Sequence, residues 1–427
     1  MERRSKILNI GYGNIFASYW MFYGVANAFA SAFLLAKGYS NAEIGIILAV
    51  GSVMAVFLQP LMADLADRSK KISLIGVTQL TTILLMVLEF SLFVMGHKSV
   101  ALWMVFVLII AWLTALQPLF NSMAFRLEES GVKIRFGICR GMGSLGFALL
   151  TAVLGTFVER WGASILPFVG ELTLLSLLLT LIIVKAEFNK GVREWKNMHI
   201  GVSESQVSNE NENCGQISNA TDLSDTHIDG ENAQEINLGR FLRDNKLFLV
   251  MNFGVIGLYF SNAILNNFML QVVNAVGGTS EDMGRVLAVM AFMEMPALFF
   301  FDQVKARFSC QTLLKVAAIG FTLRVGLIYL AKSMTLIYLA HIFQTLGFAL
   351  FLPSMVVFIG DVMREGEAVK GQAFFTTMTT VGAMISSVLG GVMLDFRDAG
   401  FMLLVSTVIT GLGALVIICV VDKIKKR

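Results

Sequence analysis

Arg140, Glu294 and Arg324 sit inside long apolar runs of a 427-residue chain that is 56% hydrophobic. A charge at bilayer depth costs at least ~2.5–3.5 kcal/mol on insertion scales, so each is read first as functional. An arginine offers a rigid fork of donors to hydroxyls or to a carboxylate. Phe147 lies seven residues beyond Arg140, on the same helix face, where its ring can flank whatever the guanidinium holds. A glutamate beside an arginine and a histidine can take up or give up a proton as the geometry around it changes. Glu294, Arg324 and His341 supply those three types. At 1.5 Å per residue they lie roughly 18, 12 and 9 Å from the outer ends of their spans. They form either a proton-coupling group or a static buried ion pair that fixes helix packing.

Uncharged polar residues surround this set. Tyr23 and Asn27 are four apart, as are Asn262 and Asn266, so each pair shares a helix face. Asn121 and Ser122 follow Gln117-Pro118, and Gln344 stands three residues after His341. Such groups either face a polar cavity or act as interhelical hydrogen-bonding glue worth ~0.6 kcal/mol each. Glu89 and Glu171 are two further intramembrane acids, available as partners or as secondary proton sites.

The elements that must position these residues are membrane spans. Only 15% of the chain is charged, against about 25% in a soluble domain. Twelve apolar segments of helical length cover roughly 9–34, 42–64, 73–96, 100–124, 138–158, 163–186, 247–274, 282–302, 311–331, 335–360, 371–394 and 398–421. With the N-terminus inside, the inside turns hold most of the Lys and Arg, and the outside turns hold only Lys37, Lys98, Arg160, Arg285, Lys332 and Arg397. This bias predicts cytoplasmic termini. The expected fold is an all-α membrane protein in three parts: an N-terminal six-helix bundle over 1–186, a largely disordered acidic linker over 187–245, and a C-terminal six-helix bundle over 246–427. The linker holds eight acids and no Lys or Arg between Lys196 and Arg240, too polar to bury a core. Arg3, Arg4 and Lys6 lead into an apolar run too long for a signal peptide. β-Barrel alternation, phosphate loops, paired-His motifs and nucleophile elbows are absent, and Cys139, Cys214, Cys310 and Cys419 have neither metal nor disulfide spacing. The chain therefore reads as no enzyme, with no cofactor, no metal site and no nucleic-acid partner. Duplicated halves with a site near the midplane suit a rocking transporter.

One stretch carries a resemblance. Phe57-Leu58-Gln59-Pro60, followed by Asp67-Arg68, resembles the end of the G-x-x-x-D-R/K-type signature between helices two and three of the major facilitator superfamily, with Ala63 where the usual glycine stands. The Phe-Leu-Gln-Pro element is similar to that of the lactose permease and its oligosaccharide–proton symporter relatives. The resemblance implies that Asp67 and Arg68 form a conformational latch at a helix end. Cys139-Arg140-Gly-Met-Gly143-Ser144-Leu-Gly146-Phe147 resembles the permease helix-five stretch and implies substrate binding by Arg140 and Phe147. Phe292-Met-Glu294-Met-Pro296 and Thr322-Leu-Arg324-Val-Gly326 resemble the segments with the buried Glu and Arg. Either His341 or Gln344 matches the functional His of helix ten.

The chain departs from that group where the permease has acids on helices four and seven. Here Asn121 and Ser122, and Asn262 and Asn266, stand in those regions. Arg140 thereby loses its expected acidic partner, which favours a substrate bringing its own carboxylate or phosphate. The reading is a proton-driven symporter of the cell membrane that works as a monomer on a small polar solute. Sugars or oligosaccharides come first, then aromatic carboxylates and nucleosides. A multidrug exporter and a transporter-like sensor signalling through the linker are the rivals.

Overall fold

The computed structural model describes residues 2–68, 73–210, 241, 243–364 and 367–424, and their side chains at all positions but 63, 66–68 and 195–210. Every regular element among them is helical. The first part comprises α1 (Glu2–Tyr23), α2 (Ala30–Ala36), α3 (Asn41–Arg68), α4 (Leu74–Ser91), α5 (Val100–Glu128), α6 (Phe136–Trp161) and α7 (Leu166–Glu210). The second comprises α8 (Lys246–Asn267), α9 (Met269–Asn274), α10 (Ser280–Phe299), α11 (Phe301–Lys305), α12 (Cys310–Tyr329), α13 (Met334–Ala340), α14 (Phe343–Leu346), α15 (Phe348–Val362), α16 (Ala368–Phe396) and α17 (Ala399–Val420). Side chains just outside the helices set several starts: Ser73 accepts from Gly76 N, Ser99 from Leu102 N and Asp398 from Phe401 N, each satisfying an otherwise unpaired first-turn donor.

Among the described residues ten helices are long and apolar enough to cross a membrane, and the bent pair of α1 with α2 makes an eleventh. α10 falls outside that set because Asp282, Arg285 and Glu294 make it too charged for its length. Among the described residues the first span and the span at 334–362 are broken near their middles. A π-helical segment, Gly24–Ala28, interrupts the first, which bends by 43° before α2. The span at 334–362 is divided into α13, α14 and α15 by a turn at His341–Ile342 and by Gly347. Breaks of this kind at midplane depth survive where they line a cavity or are buried in protein.

α7 does not stop near 186. It continues as helix to Glu210, into the stretch expected to be a disordered linker. Arg4 on α1 pairs with both Glu187 and Glu194, and Lys190 with Glu187 one turn away, so alternating charges tie this extension down. The rest of the acidic stretch, residues 211–240, lies outside the described residues, as do the side chains of Asp67 and Arg68.

Glycines decide which helices approach most closely. α1 crosses α6 where a Cβ on Gly146 would stand 3.1 Å from Ala17, and one on Gly143 2.6 Å from the Trp20 ring. Such small residues let helix backbones meet inside a bilayer, where no hydrophobic force drives association. Helices from the two parts of the chain meet along α3 with α16 and along α6 with α10. A Cβ on Gly45 would collide with the Ser387 carbonyl and one on Gly391 with the Asn41 carbonyl. One on Gly155 would strike the Ser280 carbonyl and one on Gly284 the Thr151 carbonyl. Both seams lie at the ends of these helices away from the chain termini, a side called the far face below.

Candidate functional site

A cavity of about 380 Å³ lies between the two parts of the chain, within the size range of small-molecule sites. α6 gives Arg140, Ser144 and Phe147, at i, i+4 and i+7, so a single helix face supplies all three. Opposite them α8 presents Asn262 and Asn266, α10 presents Glu294, and α14 presents Gln344. Trp20 and Tyr23 from α1 and Gln117 from α5 complete the polar and aromatic lining.

The cation on the α6 side rests on rings. The Arg140 guanidinium carbon is 4.6 Å from the centre of the Trp20 ring and 5.8 Å from that of Phe16. A guanidinium over an aromatic face gains about 0.5–2 kcal/mol, more when desolvated. Gly143 makes this possible, since a side chain there would drive Trp20 away. No carboxylate pairs with Arg140 among the described residues, in keeping with the missing acids on α5. The Phe147 ring lies 6.5 Å from that of Tyr23, whose hydroxyl accepts from Asn27 Nδ2 at 3.1 Å.

On the other side the acid is held by an amide. Gln344 Nε2 donates to Glu294 Oε1 at 2.6 Å. Arg324, only 2% exposed, donates from Nη1 to Asn262 Oδ1 at 3.4 Å, and its Nη2 finds no partner among the described residues. Asn266 Nδ2 donates to the Asn262 carbonyl at 2.8 Å. Among the described residues no ion pair joins Glu294 to Arg324, whose bond runs to Asn262 instead.

The sequence-derived residues separate into two groups. Arg140, Phe147, Tyr23, Asn262, Asn266, Glu294 and Gln344 all line the cavity. Arg324 stands behind it, reaching it through Asn262. His341 is 0% exposed, its Nδ1 is 2.8 Å from the Ile337 carbonyl, and it is not part of the lining; of the two helix-ten candidates, Gln344 is the one that faces the cavity. Asn27 is buried against Tyr23. Asn121 and Ser122 are exposed, Ser122 bonds back to the Leu119 carbonyl, and α5 contributes Gln117 to the cavity instead.

Trp20, Gln117 and Ser144 were not among the sequence-derived site residues. The signal for Ser144 is its place midway between Arg140 and Phe147, and for Trp20 its three-residue spacing from Tyr23. Away from the cavity, Glu89 is 2% exposed, and it and Glu171 each keep one buried oxygen without a partner. A larger groove of about 850 Å³ runs past Phe93, Phe157, Trp161 and Phe168 and carries no charged side chain. Among the described residues no cluster of three or more His, Cys, Asp or Glu could hold a metal ion.

This is the architecture of a multi-pass membrane transporter, in which broken spans and half-buried charges converge on a cavity between the two parts of the chain. The chain belongs to the MFS_1-like family, whose family model matches residues 12–405. A maltose permease from Geobacillus stearothermophilus is 23% identical over 386 residues, 89% of this chain and 86% of the relative. A putative sugar efflux transporter from Deinococcus radiodurans is 24% identical over 124 residues, 29% of this chain and 32% of the relative. Among solved structures, the nucleoside transporter NupG superposes with a TM-score of 0.72 at 16% identity, covering 98% of this chain and 100% of that one. The peptide transporter PepTSo, of the POT family, gives 0.67 at 11%, covering 99% and 98%. Family membership makes this protein a transporter of the major facilitator type and not an enzyme.

Proposed function

We propose that the protein is a proton-coupled symporter that carries a small polar solute, a sugar or oligosaccharide, by alternating access. The observation that carries this reading is the pairing of Gln344 with Glu294 inside a cavity whose opposite wall holds Arg140 on aromatic rings. An acid held by a neutral amide can be protonated or ionised while keeping a partner in both forms, which a static ion pair does not allow. Arg140, Ser144, Gln117, Asn262 and Asn266 offer donors and acceptors suited to hydroxyls, and Phe147, Tyr23 and Trp20 offer ring faces suited to a sugar. The maltose permease relative supports the sugar. In this reading α10 completes twelve spans, arranged as two six-helix bundles over 1–186 and 246–427 with cytoplasmic termini. The bundles rock about the cavity, Arg324 fixes Asn262 at the coupling site, His341 packs behind it, and Asp67 with Arg68 latches the cytoplasmic side.

The absence of an acid beside Arg140 favours a second reading, an aromatic carboxylate that supplies the missing charge itself. A thermal-shift series with maltose, uridine and 3-phenylpropionate on purified protein separates the two. Coupling is tested in proteoliposomes, where Glu294→Gln should abolish accumulation driven by a pH gradient while leaving solute exchange at equal pH. Full gradient-driven accumulation by that variant overturns the proton assignment.

A further inference from the structure

The two far-face seams are built to one four-residue pattern. In the first, Asn41 opens α3 and Gly45 follows four residues on. Facing them on α16, Gly391 lies against the Asn41 carbonyl and Asp395 follows four residues on. In the second, Ser280 opens α10 and Gly284 follows four residues on. Facing them on α6, Gly155 lies against the Ser280 carbonyl and Glu159 follows four residues on.

The hydrogen bonds repeat as well. Asp395 Oδ1 accepts from Asn41 N at 3.1 Å and Asn41 Nδ2 at 2.9 Å, and its Oδ2 accepts from Ala42 N at 2.7 Å. Glu159 Oε2 accepts from Ser280 N at 3.1 Å. Each capped helix also has a local box, Ser40 with Glu43 and Thr279 with Asp282. These boxes satisfy the donors at the cap and at the third helical position. They leave the first-position N–H of α3 and α10, and in α3 also the second, to a carboxylate from the other part of the chain. The seams are unequal. Asp395 collects three donors against one for Glu159, and Gln271 Nε2 adds a bond to Asn41 Oδ1 at 2.8 Å.

We infer that Asp395 and Glu159 are positioning residues that hold the far face of the carrier closed by capping helices of the opposite half, with Asp395 the stronger of the two. When the halves part, Asn41, Ala42 and Ser280 lose these partners, so the bonds exist in one state only and bias the equilibrium toward it. This inference rests on the alternating-access reading but not on the identity of the solute or on proton coupling.

The test places spin labels at His97→Cys and Asn274→Cys, exposed positions on opposite parts of the far face, in a chain with its four native cysteines replaced by serine. Distances are measured without solute or pH gradient. Asp395→Ala should raise the long-distance population roughly fivefold, the worth of a typical helix cap. Glu159→Ala should raise it less, and Asp395→Asn, which keeps an acceptor, less than Asp395→Ala. Asp398→Ala is the control: it removes the cap of α17, a bond from Phe401 N at 2.7 Å within the same half, and should leave the distribution unchanged. Should Asp395→Ala fold poorly, Gln271→Ala provides a smaller shift in the same direction. A wild-type distribution in Asp395→Ala and Gln271→Ala, or an equal shift in Asp398→Ala, overturns the inference. A larger shift in Glu159→Ala overturns the ranking. Because no solute is present, these outcomes are independent of the maltose and Glu294→Gln experiments.

Discussion

Gln344 donates to Glu294 at 2.6 Å from α14, a four-residue helical turn set apart from the rest of its span at both ends. Removing the amide leaves a half-buried acid short of a partner, at a cost of about 1–3 kcal/mol. Gln344→Ala should therefore slow gradient-driven uptake about tenfold or more, the rate equivalent of ~1.4 kcal/mol. His341→Gln, a change outside the cavity lining, should retain most of the rate. Initial uptake into proteoliposomes compares the two, and the reverse order would return the coupling role to His341.

Arg140 and Trp20 should behave as a unit. Trp20→Ala removes the ring 4.6 Å from the guanidinium and should weaken solute binding by roughly fivefold, in line with a cation–π contact of about 1 kcal/mol. Trp20→Phe should restore most of that affinity. Arg140→Lys loses the planar fork and should bind poorly despite keeping the charge. Half-saturation in a counterflow assay reads all three variants.

Gly146 reports on packing rather than chemistry. A valine there brings a branched side chain against Ala17, which already lies 3.1 Å from a modest Cβ. Overpacking of this kind costs about 1–3 kcal/mol, so Gly146→Val should lower the unfolding temperature in a thermal-shift assay. Gly96→Val, with nothing within 4 Å of its Cβ, should leave that temperature close to wild type.

Deleting residues 211–236 tests whether the acidic stretch takes part in transport. Uptake should stay within about twofold of wild type, since a linker of different length changes little in the packed helices it joins. Loss of uptake on deletion would give the acidic stretch a role in the transport cycle itself.

Much of the site was legible because helix periodicity is a local property. The spacing of Arg140 and Phe147 places both on one face, and Glu294 stands out as a charge in an apolar run; all three side chains line the cavity. Where the chain leaves regular helix, the phase is lost. The turn at His341–Ile342 and the break at Gly347 reset the direction in which neighbouring side chains point, so His341 and Gln344 could not be separated by counting residues. Between Ser122 and Arg140 lie residues 129–135, a loop that carries no rotational information, so the face of α5 that meets Arg140 is not set by residue spacing. The extension of α7 was hidden for a different reason: a polar helix held by Arg4 from the far end of the first half has no apolar stripe to announce it. Trp20 under Arg140 is a tertiary contact between α1 and α6, and composition does not encode it.

The glycine seams have a thermodynamic consequence. At its tightest points the far face closes with backbone carbonyls against Cα atoms, as at Gly45 with Ser387 and Gly155 with Ser280. Glycine has no rotamers to freeze, so these contacts form without the side-chain ordering cost of up to about 2 kcal/mol that long residues would impose. In a carrier that works by alternating access, closing and opening then differ by few frozen side-chain degrees of freedom, which narrows the free-energy gap between the two forms. A carrier balanced in this way responds to small differential affinities: a solute or a proton that favours one form by a few kcal/mol is enough to reverse the populations.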